Sequence, residues 1–452
     1  MPRSLLLLSI CVVFLCVVFL APFTAALPMC HSPSVENAPA TPLIPPGYSL
    51  LQATFHQRHS DRWIYAHEYI DNVCWPQQLN SSFTSSPSMA FQCNFNRSSI
   101  WEDFSETPDP YAAPLPGVCA EKQITKQGIE HAVSLGKSYA AMFSPDALKA
   151  ICASDSIGLE CDEAEKNQVT LQSVYFGLCG SLPSPSVHPA SSVVDHGIIS
   201  SGRPFYLRTG VCASTVLSSL QASATAAFYD DSKNGDYLRS LRSVGATLAR
   251  AVSKPIPERD QDLPTLLDNV EDCFLAHRCH DLQDMPSALS SGDLMDAVDE
   301  LETESRLYAF DYFEGDDYVN FCANYFGYFF VTVRDRMKRI ISGDATAKSI
   351  YIQVTSDSII SPQLKMLRQN ELSRVRPPWN SQIIYQLLKD DATGELAVRF
   401  LFNGVDLKVC ANSNGSQKKY CTFQEFDSFV RSLQPSQEDC AVFYDNWGDG
   451  GW

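Results

Sequence analysis

Apolar positions along this chain recur at two periods, and the changes between them mark most of its elements. Over residues 48–55, Leu51, Ala53 and Phe55 alternate with other side chains as on a strand. Over 126–143 the spacing is helical, with Ile129, Ala132, Val133, Gly136, Ala140 and Phe143 on one side. Gly128 and Gly136 predict close approach of neighbouring backbone to that helix. Short apolar strands at 205–207 and 349–355 each lead into a helix. Residues 241–252 and 294–307 have helical spacing, and the aromatic-rich stretch 308–330 reads as core packing that runs on into a helix to 341. A strand over 383–388 is followed by Leu396, Val398, Phe400 and Phe402 on one strand face. Asn403 and Gly404 then predict a tight hairpin before 405–409, and 421–429 closes the chain's pattern as a helix.

Strands interleaved with helices predict an α/β fold: a central, mostly parallel sheet flanked by helices, with a smaller helical cap inserted. The expected divisions are a leader over 1–26, an irregular lead-in over 27–47, and a main domain in two parts, 48–228 and 326–452. The cap spans 229–325, and 152–196 reads as a disulfide-tied excursion from the first part. Pro255, Pro257 and Pro264 interrupt the cap's helices. Its row of acidic residues reads as a solvated face; the alternative is selection against negatively charged macromolecular surfaces.

The 452 residues are 45% hydrophobic and 19% charged, ordinary globular values. A formal charge of −18 excludes a general nucleic-acid binder, so any anionic substrate needs a local positive pocket. Arg3 precedes an apolar run over 5–21, with Thr24, Ala25 and Ala26 after it, a pattern for translocation into the secretory pathway. Cleavage near Ala25 or Ala26 gives a secreted or luminal protein. Retention as a signal-anchor gives type II membrane attachment in the Golgi. Of 16 cysteines, Cys11 and Cys16 lie in the leader, and the even remainder fits several disulfides in an oxidising compartment. Asn80, Asn96 and Asn414 head N-glycosylation sequons and are expected to face solvent. Cys273, Cys279 and His280 are too loosely spaced for a metal site, and neither a metal nor a cofactor is expected.

Candidate chemistry gathers where strands end. Arg58, His59 and Arg62, with Asp61 between the last two, follow directly on the first strand. Guanidiniums present paired donors to phosphate oxygens, and an imidazole can accept a phosphoryl group. The competing reading is a surface salt-bridge cluster. Arg208 ends the strand at 205–207, and Ser356 and Asp357 end the strand at 349–355. These are positions where α/β sheets collect anions and catalytic groups.

The first cluster resembles the signature of the histidine acid phosphatases, Arg-His-Gly-x-Arg at the end of the first core strand, with Ser60 in the glycine position. The Gly128 helix is similar to the family's Leu-Thr-x-x-Gly helix. Arg208 resembles its third phosphate-binding arginine, although the arginine that normally follows is absent. Asp357 matches the His-Asp second motif, with Ser356 in the histidine position. Pro377, Pro378 and the run Phe402, Asn403, Gly404 resemble the late part of the family pattern. The resemblance spans 48–440, is thin over 152–196, and is similar in its late layout to the secretory phosphoxylose phosphatase branch. It implies hydrolysis of a phosphomonoester through a phosphohistidine at His59, with Asp357 as general acid. Arg58, Arg62, Arg208 and Ser356 would bind the phosphate, and an acidic pH optimum is expected. The substrate would be a phosphorylated small molecule or glycan. Ser356 supports the alternative of a weakly active or inactive binding protein on the same fold. A third reading is a disulfide-rich surface interaction protein whose arginines form ordinary ion pairs.

Overall fold

The computed structural model describes residues 43–62, 124–161, 165–180, 215–251, 317–373, 375–411 and 416–434, with Cys30, Ser32 and single positions between 259 and 301. Its centre is β1 (Tyr48–Arg58), buried without interruption from Gln52 to Arg58 because the sheet is covered on both faces. β3 (Ile350–Thr355) pairs with β1 in parallel, from Ala53 opposite Ile350 to Arg58 opposite Thr355. β2 (Ile157–Cys161) lies parallel to β3 beyond it. On the other side β4 (Gln382–Asp390) runs antiparallel to β1, and β5 (Leu396–Phe402) antiparallel to β4. β6 (Val405–Asp406) and β9 (Tyr420–Thr422) both pair with β5. Among the described residues this makes one mixed sheet of seven strands, parallel on one side of β1 and antiparallel on the other. β7 (Cys410–Ala411) and β8 (Gln417–Lys418) form a separate small ladder.

Two apolar layers enclose the sheet. On one face α1 (Lys126–Ala140) and α3 (Glu165–Cys179) pack onto Ala53, Phe55, Ile352 and Ile384 through Leu135, Tyr139, Val174 and Tyr175. Thr125 caps α1 by accepting the Gly128 N–H, which explains the helix start read from the sequence. Gly136 lets α1 and α3 meet backbone to backbone: a Cβ there would stand 2.1 Å from the Val174 carbonyl oxygen. On the opposite face α6 (Asp317–Ile341), α7 (Asp357–Met366) and α8 (Phe423–Ser432) bury Phe330, Ile360 and Phe426 against Tyr385, Val398 and Phe400. The aromatic stretch is therefore core where its side chains are described, and Val398, Phe400 and Phe402 share one face as their alternation predicts. Asn403 (φ 48°) and Gly404 (φ 80°) make the expected hairpin turn. α4 (Thr215–Phe228), α5 (Asp231–Ala251) and buried helical positions such as Leu267, Val298 and Leu301 form the helical sub-region.

Residues 152–180 contribute more to the body than the expected excursion. Cys152, at the end of α2 (Pro145–Cys152), is bonded to Cys179 at the end of α3, as a disulfide tie implies. Between them, however, lie strand β2 of the main sheet and helix α3 of its covering layer. β2 is buried at every position, so it lacks the alternation that reveals a half-exposed strand. Two further disulfides join Cys30 to Cys279 and Cys410 to Cys421.

The fold gives the expected membrane attachment no support: among the described residues no helix is long and apolar enough to cross a bilayer, and the run over 5–21 lies outside them. Arg208, its strand, and Asn80, Asn96 and Asn414 also lie outside the described residues.

Candidate active site

The parallel strands β1 and β3 end side by side, and the chain leaving β1 is tethered from every neighbour. The Arg58 N–H donates to the Ser381 carbonyl (2.8 Å) and the His59 N–H to the Thr355 carbonyl (2.9 Å). The Asn380 N–H donates to the His59 carbonyl (3.2 Å), and the Ser60 N–H to Thr170 Oγ1 on α3 (3.0 Å). Arg62 bridges to Ile124 just before α1. This is the carboxyl edge of the parallel strands, where open α/β sheets build sites.

Ser60 is accommodated by its own hydrogen bonds. Its buried hydroxyl donates to the Gly128 carbonyl (2.5 Å) and accepts from Asn380 Nδ2 (2.8 Å). A Cβ on Gly128 would stand 2.2 Å from the Asp61 carbonyl oxygen, so this glycine sets how closely α1 approaches the motif. Asp61 is fully buried and accepts from His131 Nδ1 at 3.0 Å, which gives His131 a supporting place on α1.

The His59 ring is 1% exposed, and its Nδ1 lies 2.9 Å from the Ser60 carbonyl oxygen. A carbonyl only accepts, so Nδ1 carries the proton and Nε2 the lone pair. Burial drives the His59 pKa well below the usual histidine value, and the charges of Lys166, Arg58 and Arg62 lower it further against the opposing Ser60 bond. The arrangement holds a neutral imidazole with one defined nucleophilic nitrogen.

Around it runs a chain of ion pairs. Arg58 donates to the Pro377 carbonyl and meets Asp357 Oδ2 at 3.2 Å. Asp357 is the first residue of α7, with Ser356 as its N-cap. Arg376 also reaches Asp357 Oδ2 (3.1 Å), as well as Glu271 (2.6 Å) and Asp272 (3.7 Å). Asp272 in turn receives both terminal nitrogens of Arg62, at 3.0 and 2.7 Å. Arg58, His59, Arg62 and Asp357 are thus gathered in one place, and the first three are buried. A surface salt-bridge cluster does not fit this burial. Ser356 lies beside Asp357 at the helix start.

Arg376, Glu271, Asp272 and Lys166 were not singled out in the sequence. Arg376 stands before Pro377 and Pro378, whose own signal is for the entry to a strand. Glu271 and Asp272 belong to the acidic row read as solvated, yet they are 2% and 4% exposed. The available signal was helical spacing: Leu263, Leu267, Val270 and Glu271 fall on one face, three of them apolar.

No family model matches the sequence, and no curated protein matches it. Solved structures do match in fold. The multiple inositol polyphosphate phosphatase of Bifidobacterium longum, in complex with inositol hexasulfate, superposes with a TM-score of 0.57 at 10% identity, covering 91% of this chain and 98% of that one. The apo phytase of Hafnia alvei gives 0.52 at 13% identity, over 88% and 99%. The phytase of Citrobacter braakii gives 0.51 at 11% identity, over 86% and 98%. At these identities the likeness shows a shared fold alone, and it does not single out the phosphoxylose phosphatase branch.

Proposed function

We propose that this protein hydrolyses a phosphomonoester by transfer of the phosphoryl group to His59. The observation that carries the reading is the meeting of the two strand ends: Arg58 on β1 lies 3.2 Å from Asp357 at the start of α7, with the neutral, oriented His59 ring next in sequence. Nε2 attacks phosphorus, the ester P–O bond breaks, and Asp357 gives its proton to the departing oxygen. Water then attacks the phosphohistidine, Asp357 takes a proton from it, and inorganic phosphate leaves. Guanidiniums at Arg58 and Arg62, and Arg208 as a third, stabilise the nonbridging oxygens, while Ser356 donates a hydrogen bond. The reading uses no metal. The three disulfides among the described residues fit an oxidising compartment and support a secreted or luminal location.

The test is phosphate release by the purified protein and its variants. His59→Ala and Arg58→Ala are each expected to lower turnover by about a hundredfold or more; unchanged release in both overturns the proposal. A second reading, a phosphate-binding protein with little or no turnover, is favoured by two observations. Ser356 stands in the histidine position, and Arg62 is already engaged bidentately by Asp272. Phosphate affinity without phosphate release in the unaltered protein selects it.

A further inference from the structure

Arg376 lies on the stretch that enters β4, and the two prolines that follow it, Pro377 and Pro378, are buried. A proline restricts the residue before it to extended backbone and fixes its own φ, so the stem that carries this guanidinium is stiff. The same stretch holds the residues leaving β1. The Pro377 carbonyl accepts from Arg58 Nη1, and the Asn380 N–H donates to the His59 carbonyl (3.2 Å). The Arg376 side chain is 8% exposed and spans two carboxylates from different parts of the fold. Its Nε donates to Asp357 Oδ2 at 3.1 Å, and its Nη1 pairs with Glu271 Oε2 at 2.6 Å. Arg58 Nη2 meets the same Asp357 oxygen at 3.2 Å. The two arginines differ in what the reaction asks of them. Arg58 turns to the incoming phosphate, whereas Arg376 is anchored on its far edge by Glu271.

We infer that Arg376 is a positioning residue for the acid step: it holds the Asp357 carboxyl by Oδ2 and so presents the proton on the other oxygen to the leaving group. The inference rests on the phosphomonoesterase reading and deepens it at the acid. An oxygen that receives a guanidinium N–H is an acceptor, so the transferable proton is carried on Oδ1. The terminal torsion of an aspartate is otherwise broad, and a misplaced catalytic group loses much of its advantage. When the ester P–O bond breaks, the Oδ1 proton passes to the departing oxygen and Asp357 becomes a carboxylate. The Arg376 charge then faces the negative charge that has formed, while the guanidinium itself neither gains nor loses a proton. Arg58 is thereby released to the phosphate oxygens without leaving the acid unheld.

The experiment measures kcat/KM of the full chain and its variants for two esters that differ in their need for an acid. The nitrophenolate of p-nitrophenyl phosphate departs without a proton, and the alkoxide of glycerol 2-phosphate requires one. Arg376→Gln is expected to lower kcat/KM for glycerol 2-phosphate by about a hundredfold, and that for p-nitrophenyl phosphate by less than about tenfold. Asp357→Asn is expected to share this dependence on the leaving group, and His59→Ala to remove turnover of both esters alike. Equal losses for the two esters in a folded Arg376→Gln, with the dependence present in Asp357→Asn, overturn the inference and leave the phosphohistidine reading standing. Turnover that persists in His59→Ala overturns that reading, and the leaving-group dependence of Arg376→Gln still decides the inference. Dependence missing from both Arg376→Gln and Asp357→Asn, or no phosphate release by the unaltered protein, overturns the acid role and the inference together. Calorimetric titration with inorganic phosphate separates positioning from phosphate binding. Arg376→Gln is expected to retain most of the affinity that Arg58→Ala loses, and equal losses in the two overturn the inference. Should Arg376→Gln fail to fold because Glu271 is left buried and unpaired, Arg376→Gln with Glu271→Gln carries the same comparison, since neither buried charge remains.

Discussion

Ser60 shows how a departure from an expected residue is absorbed by its neighbours. In the glycine position of the resembled motif it carries a hydroxyl that the fold uses twice, as donor to the Gly128 carbonyl and acceptor from Asn380. Replacing it by glycine would leave two buried groups without that partner. Ser60→Gly is therefore expected to cost about 1–3 kcal/mol of stability and to bring no gain in phosphate release. Urea denaturation and an activity assay check both parts. A more active and equally stable variant would mean that the hydroxyl obstructs the site. Neither the absorbing partners nor the ion pairs of Arg376 were legible in the sequence. Asn380 lies 320 residues from Ser60, and Arg376 lies 105 from Glu271, so only folding brings them together. Arg58, His59 and Asp357 were legible because residues of distinctive chemistry stand at the ends of apolar strands.

Elements with one exposed face, or with a turn signal, were readable for the same kind of reason. α1 announces itself through its helical period, and the β5–β6 hairpin through Asn403 and Gly404. β2 escaped because a wholly buried strand has no pattern to show. The loop over 376–380 escaped because its conformation is imposed from outside. The Trp379 N–H donates to the Cys30 carbonyl (3.2 Å), its carbonyl accepts from Ser32 (2.8 Å), and its ring packs with Leu275 and Cys279. The Cys30–Cys279 disulfide thus fastens the lead-in, this loop and the segment bearing Glu271 and Asp272 to one another. Removing it with Cys30→Ser and Cys279→Ser is expected to cost about 2–5 kcal/mol and to lower turnover severalfold, because Arg376 loses its backing. Cys410→Ser with Cys421→Ser is the control, at a disulfide on the far side of β5. It should lower stability while leaving turnover at low temperature unchanged. Equal losses of turnover in both pairs would assign the effect to general destabilisation.

At the scale of the whole molecule, the chemistry and the fold respond to acid in opposite ways. The acid catalyst proposed at Asp357 favours low pH, yet the fold keeps two histidines neutral, His56 on β1 and His59 just past its end. His56 sits between Gln353 on β3 and the Phe329 ring of α6, in a buried row that continues to Glu160 on β2 and Arg336 on α6. Burial lowers its pKa to about 3, more than the Gln353 bond and the Glu160 charge restore. The unfolded chain takes up a proton at this position as pH falls through about 6.5, whereas the folded chain does so only near 3. Stability is therefore complete above 6.5 and declines between those limits, by about 1.4 kcal/mol per pH unit for each such proton. His59 is shifted in the same direction and adds to the decline. His56→Phe removes one of these protons. Its stability level at neutral pH is expected to change through lost contact with Gln353, but the informative quantity is the slope. Urea denaturation at several pH values from 4 to 7 should show a shallower decline than in the unaltered protein, by about one proton's worth. Parallel curves for the two proteins would mean that His56 is already protonated in the fold, and that the buried row is held by charge rather than by neutral hydrogen bonds.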